Sequence, residues 1–483
     1  MATEQKDFIV AIELGSSKVT GIAGQKKPDG SISVLAFVRE ESSAFIKKGV
    51  VYNIDKTAQC LTNIISKLEG QLKTRITQVF VGVGGQSIRS VRNTIGKDLP
   101  HNTVVTQEMV AELMDSNRSM EYPDQEILDV AEQEYRVDSQ YQMDPVGIPA
   151  KRLEGNYLNI LERKLFYKNL NRCFETADIN VADMYLAPLA LADAVLTETE
   201  KRSGCALVDI GADTTTVCVF WKNVLRHLVV IPLGSNNITK DIASLQMEES
   251  DAEAMKLKYA SAFTDNNDID STLKYSIDAE RQVESHRFIE IVEGRMEEII
   301  ENVKYQIPDE YYGNLLGGVI LTGGGANMKN IEKAFANSLR MEKVRVAKFV
   351  ISTINSSNEQ IKNKNAMYNT VLGMLIKGDL NCAGGPINVN GNLFEEEEGK
   401  VPAGSGRKPR QPGETDKGVI LTEQEKERAA ELARQQKEEE ERRQREEEER
   451  KAAEELRKKR ENSRWNRFKR GFGHWVDDLT KPE

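Results

Sequence analysis

Two short stretches of the chain set an acid, a glycine and several hydroxyls at matched spacing. Residues 8–23 read FIVAIELGSSKVTGIA, and residues 206–220 read ALVDIGADTTTVCVF. Each runs from an apolar strand through an acid, an apolar residue, a glycine and hydroxyl-bearing residues into a second strand-like run, as in a hairpin whose turn carries the acid and the glycine. Gly15 and Gly211 let the backbone approach a ligand closely, while Ser16, Ser17, Thr214, Thr215 and the turn N–H groups can donate hydrogen bonds. Glu13 and Asp209 can hold hydrated Mg2+. That chemistry suits phosphate. Either hairpin alone is more readily an ordinary turn, but two copies roughly 200 residues apart suggest a duplicated domain with a ligand between its halves.

A third segment adds a different element. Residues 318–326, GVILTGGGA, predict a buried strand ending in Gly323, Gly324 and Gly325, followed by the helix-like NMKNIEKAFANSL. A glycine run where a strand opens into a helix permits close approach of a flat ring or a phosphate. A tight turn explains one glycine and not three.

In this order the three segments resemble the two phosphate motifs and the adenosine motif of the actin, sugar kinase and Hsp70 ATPase superfamily. Within it the chain resembles the FtsA family of bacterial cell-division proteins. Several stretches carry the likeness: Glu13 within ELGSSKV, ITQVFVGVGGQSIR at 76–89, VAEQEYRVDSQYQMDPVG at 130–147, LRHLVVIPLGSN at 225–236 and SDAEAMKLKYA at 250–260. The resemblance implies an α/β, actin-like two-lobed fold with ATP and Mg2+ in the cleft. It places Gly15, Ser16, Ser17 and Lys18 on one side of the terminal phosphates and Gly211, Thr214 and Thr215 on the other. Asp209 would orient Mg2+ through water, and Gly234 would contact phosphate. Gly323 to Gly325 would pack on adenosine, with Glu253 and Lys256 reaching ribose and base; as residues alone, that pair reads more readily as a surface i, i+3 couple.

The implied boundaries are a first lobe over 7–202, completed by about 346–378, an FtsA-type inserted subdomain over 87–169, and a second lobe over 203–345 whose smaller subdomain covers about 238–308. By resemblance that subdomain receives the FtsZ C-terminal peptide, with Arg287 and Arg295 as candidate contacts, and the insert meets neighbouring subunits and later division proteins. Two other readings share the body: a pilus-assembly relative of the PilM kind and a sugar kinase. The sugar kinase needs a catalytic Asp and a sugar pocket that the pattern does not suggest.

The chain also departs from the pattern. Ala212 and Asp213 stand where glycines are common, Ser235 replaces another, and an extra carboxylate beside a triphosphate repels it unless Mg2+ is shared. No residue is identified as a general base, and 188–192 reads PLALA, so at most a slow ATPase is expected.

The remainder of the chain is of another kind. Residues 379–422 read as a flexible linker, and 423–461 consist almost wholly of Glu, Lys, Arg, Gln and Ala. Pairs such as Glu438 with Arg442 and Glu446 with Arg450 support an exposed helix, and Leu432 and Leu456 are too few for a coiled-coil seam. At about 1.5 Å per residue a helical spacer would reach roughly 60 Å. Over 464–483, Trp465, Phe468, Phe472 and Trp475 fall on one face of a helix, beside Arg464, Arg467, Lys469 and Arg470. By itself the stripe suits a helix docked on its own domain, one in a protein groove, or an amphipathic foot on anionic lipid. The long leash favours the foot, and weak feet on a polymer would bind together.

Composition suits a cytosolic protein that touches a membrane from inside if at all, and the resemblance implies a peripheral place on the cytoplasmic side of the membrane at the division septum. A formal charge of −10 argues against nucleic acid as partner, five scattered cysteines suit a reducing compartment, and no signal peptide or apolar run of about 18 residues is present.

Overall fold

The computed structural model describes residues 7–386, apart from 266–268, 271 and 278–280. The linker beyond 386, the charged spacer and the basic-aromatic segment with Trp465, Phe468, Lys469, Arg470, Phe472 and Trp475 lie outside the described residues.

The strand Ile9–Leu14 buries its first four side chains in succession, as expected of a strand covered on both faces. It pairs antiparallel with Lys18–Lys26 and parallel with Val79–Val83. Around it lies a six-stranded sheet ordered Val181–Leu186, Val79–Val83, Ile9–Leu14, Lys18–Lys26, Ile32–Glu41, Ile354–Asn355. The helix Ile54–Leu72 lies against this sheet; Asn53 Oδ1 accepts from the Lys56 N–H at 3.0 Å to start it, and Lys73, at φ 58°, ends it.

The second lobe repeats this plan. Cys205–Ile210 pairs antiparallel with Thr215–Trp221 and parallel with Gly318–Thr322, and Val224–Ile231 follows as Ile32–Glu41 does in the first lobe. The register coincides at the turns, where Leu14 faces Val19 and Ile210 faces Thr215. It coincides again at the acids, since Glu13 faces Thr20 and Asp209 faces Thr216.

Both faces of the second sheet are buried, by different partners. Leu207, Cys218 and Phe220 pack into the core of the first lobe, while Ala206, Val208, Val217 and Val219 pack under the helices of their own lobe. The period-two alternation of a strand makes this division. The apolar seam between lobes is reinforced by Asn369, buried at the start of the returning helix Asn369–Lys377, whose Nδ2 donates to Thr322 Oγ1 at 3.0 Å and to the Ala347 carbonyl at 2.8 Å.

The inserted subdomain leaves the first lobe after Val79–Val83 and carries its own small core, including Leu99, Val110, Leu113, Tyr135 and Tyr157. Its strands Arg89–Val104, Gln125–Val137, Gln140–Gln142 and Pro149–Arg163 extend the second lobe's sheet to nine strands. The join is at Val229 opposite Arg89, where the Val230 N–H donates to the Ile88 carbonyl at 3.1 Å and the Leu228 N–H to Ser90 Oγ at 2.8 Å. The insert is therefore threaded through one lobe and hydrogen-bonded to the other. Position 169, the expected end of the insert, falls inside the helix Lys164–Thr176, which packs against Ile54–Leu72; the insert's last strand stops at Arg163.

Candidate functional site

The two hairpin turns close in the same way. The Gly15 N–H donates to the Lys18 carbonyl at 3.0 Å and the Gly211 N–H to the Thr214 carbonyl at 2.8 Å. Both turns border one cavity of about 390 Å³ between the lobes, with Gly15, Ser16, Ser17 and Lys18 on one side and Gly211, Ala212 and Thr214 on the other.

Glu13 and Asp209 sit at its floor. Burial pushes the Glu13 carboxyl up to about 7, with the nearby Asp209 adding to the rise and Lys18 opposing it. Burial likewise raises Asp209 to about 6 against the pull of Lys18, whose own pKa burial depresses. Glu13 Oε2 has no hydrogen-bond partner among the described residues. Two buried acids beside one lysine, one with an open oxygen, fit a hydrated cation carried in with a phosphate ligand. They do not fit a closed protein cage, since no group of three or more His, Cys, Asp or Glu gathers anywhere among the described residues.

The three glycines do different things. A Cβ on Gly323, at φ +84°, would lie 2.3 Å from Asp209 Oδ1, and one on Gly325 would lie 2.4 Å from Ile210 Cγ2. These two press the strand end onto the second hairpin. Gly324 meets nothing within 4 Å and leaves the cavity wall open.

Glu253 and Lys256 line the cavity rather than forming a surface couple. Lys256 Nζ lies 2.6 Å from Glu253 Oε2, donates to Thr239 Oγ1 at 2.8 Å and to the Ser235 carbonyl at 3.2 Å, and only 7% of the residue is exposed.

Three expectations are corrected. Thr215 does not face the cavity: it is wholly buried and donates its hydroxyl to the Leu233 carbonyl at 2.9 Å, so strand alternation presents Thr214 and Thr216 instead. Gly234 also lies outside the lining. A Cβ there would sit 2.5 Å from the Ala212 carbonyl oxygen, so its role is to let the helix Ser235–Ala243 close onto the turn from behind. The Asp213 carboxylate is not among the lining groups either; its Oδ1 accepts from Asn236 Nδ2 at 2.8 Å and its Oδ2 from the Lys48 N–H at 3.2 Å. The expected repulsion of a triphosphate is thereby reduced.

Some of the lining was not foreseen. Gly82, Gly84 and Gly85 border the cavity at the end of the strand Val79–Val83, which runs parallel to Ile9–Leu14 as Gly318–Thr322 runs parallel to Cys205–Ile210. The duplication thus extends to a second strand with a glycine end, and VFVGVGG was its signal. Gly49 and Thr216 also line the space. Ala187 and Pro188 reach it as well and bring no side chain able to take a proton.

The profile of the family described as "Cell division protein FtsA" matches residues 206–373, and that of the "SHS2 domain inserted in FTSA" matches 85–161. The "Cell division protein FtsA" of Porphyromonas gingivalis is 31% identical over 363 residues, covering 72% of this chain and 74% of that protein. That of Pseudomonas aeruginosa is 30% identical over 403 residues, covering 82% of this chain and 95% of its own. Among solved structures, a chain of the "PilM-PilN type IV pilus biogenesis complex" superposes with a TM-score of 0.53 at 14% identity, over 76% of this chain and 98% of that one. The fold is the actin-like two-lobed one with the FtsA-type insert. With two family profiles matched and 30% identity held over almost the whole of a relative, the chain belongs to the FtsA family of cell division proteins.

Proposed function

We propose that this protein is an ATP-binding, actin-like tether that fastens FtsZ to the inner face of the cytoplasmic membrane at the division septum and helps to recruit later division proteins. The observation that carries the reading is family membership, because the likeness to cell division proteins named FtsA runs through both lobes and the insert. The site supports its nucleotide part. Phosphates would be cradled by the turns at Gly15–Lys18 and Gly211–Thr214, adenosine would rest near Gly324, and Glu253 with Lys256 would meet the ribose and base. Mg2+, when bound, supplies neutralisation of phosphate charge. Glu13 and Asp209 would hold its waters, and Lys18 would add a positive charge from the same floor. With only Ala187 and Pro188 where a catalytic polar residue would serve, hydrolysis would be slow, and nucleotide would act by setting lobe closure and self-association into polymers.

The FtsZ C-terminal peptide is assigned to the smaller subdomain of the second lobe. Arg287 is exposed there and free to meet an acidic peptide, whereas Arg295 is held by Asp241, at 2.5 Å from Nε to Oδ2, and by Glu298. The basic-aromatic segment of 464–483 would be the foot on anionic lipid. Among the described residues no helix is long and apolar enough to cross a membrane, so the contact would be peripheral. Titration of the full chain with a labelled FtsZ C-terminal peptide tests the partner: saturable binding that weakens in Arg287→Glu is expected, and no binding to the wild type would remove FtsZ from the reading.

A further inference from the structure

The turn Lys48–Gly49, between the short strands Ile46–Lys47 and Val50–Val51, has both central residues at positive φ, 51° and 73°. That is the conformation of a type I′ turn, which is short and stiff. Three parts of the molecule meet on it. The Gly49 N–H donates to Ser16 Oγ of the first hairpin at 2.8 Å. The Gln86 N–H, at the mouth of the insert, donates to the Lys48 carbonyl at 3.0 Å, and Gly49 is packed so tightly on Gly85 that a Cβ would lie 2.8 Å from its Cα. From the opposite lobe, Asp213 accepts from the Lys48 N–H at 3.2 Å while Asn236 holds its other oxygen at 2.8 Å.

The Asp213 bond joins the two lobes at the phosphate end of the cavity. Gly49 and Ser16 line that end from the first lobe, and Gly211, Ala212 and Thr214, the turn on which Asp213 sits, line it from the second. A carboxylate accepting a backbone N–H makes a charge-assisted bond, stronger than a neutral one, and the Asn236 amide fixes its direction. We propose that Asp213 is an interlobe clasp: it pins the Lys48–Gly49 turn across the cleft and so slows the release of a triphosphate from the cavity. The same turn also rests on Gly85 and Gln86 at the base of the insert. The effect on release rests on the nucleotide reading above; the pinning of the turn does not.

The test uses the full chain in five forms: wild type, Asp213→Gly, Asn236→Ala, the double variant, and Asp213→Asn as the conservative replacement. Release of a fluorescent ATP analogue in Mg2+ is followed by stopped flow, and amide exchange at 46–51 is followed without nucleotide. Asp213→Gly should speed release about tenfold or more, as expected for one hydrogen bond to a charged group, and speed exchange at Lys48. Asp213→Asn, which keeps one acceptor oxygen, should fall between it and wild type. Asn236→Ala should have a smaller effect that vanishes in the Asp213→Gly background, since it acts through the carboxylate. Wild-type release and exchange in Asp213→Gly would overturn the clasp. Failure of the wild type to bind the analogue would overturn the nucleotide reading and the effect on release, and the exchange arm would still decide whether Asp213 pins the turn.

Discussion

Glu13 and Asp209 are held where a carboxylate is uncomfortable without a cation. In the ligand-free protein the Glu13 carboxyl rises from its ordinary 4.5 to about 7, chiefly through burial. Between those values the folded chain binds a proton that the unfolded chain has released, so this group's contribution falls as pH rises through the window from 4.5 to 7. Glu13→Gln removes the ionisation. It should raise the stability of the ligand-free protein at pH 8 by on the order of 1–2 kcal/mol, after allowing for the opposite charge that Lys18 loses, and change it little below pH 4.5. Thermal unfolding at the two pH values checks this; equal destabilisation at both would contradict it. The same variant should weaken Mg2+-dependent ATP binding about tenfold or more while leaving Mg2+-free binding nearly unchanged, read by calorimetry with and without EDTA.

Turns and strand ends, rather than individual side chains, build the cradle. The roles of the three glycines separate experimentally. Gly323→Ala and Gly325→Ala drive a methyl into Asp209 and Ile210, and each should cost about 1–3 kcal/mol in denaturant unfolding. Gly324→Ala meets open space, so it should hold stability within about 0.5 kcal/mol and lower nucleotide affinity instead. A large loss of stability in Gly324→Ala would show that it, too, is a packing glycine. The two hairpins were legible in the sequence because a turn that closes from Gly15 to Lys18 or from Gly211 to Thr214 needs the residue types the chain displays. Thr216 in place of Thr215 was available from strand alternation. The Lys48–Gly49 turn was not legible, since a Lys-Gly pair between two two-residue strands carries almost no periodic signal. Nor was the direction of Asp213 or the pairing of Arg89 with Val229, because both depend on segments more than a hundred residues away and leave no local trace.

At the scale of the whole molecule, two duplicated lobes close on a shared cavity, and an insert threaded from the first is spliced into the sheet of the second. Besides the strand join, Arg92 of the insert pairs with Glu310, and Arg226 of the second lobe donates to Glu134 at 3.1 Å. These contacts tie the insert to the second lobe, although the chain enters it from the first lobe after Val79–Val83 and leaves it at Arg163. Deleting 464–483 should abolish sedimentation with anionic vesicles and leave ATP affinity unchanged; persistent lipid binding would remove the foot from the account. A variant locked as a monomer with that segment intact should lose most of its vesicle affinity, because single feet are weak and linked ones are not. The central claim, that the protein joins FtsZ to a membrane, is tested most directly by mixing purified FtsZ with vesicles containing anionic lipid, in the presence of the full chain, of the chain lacking 464–483, or of neither. The account predicts that FtsZ sediments with the vesicles only when the full chain is present; FtsZ that sediments equally with the truncated chain, or fails to sediment with the full one, would contradict it.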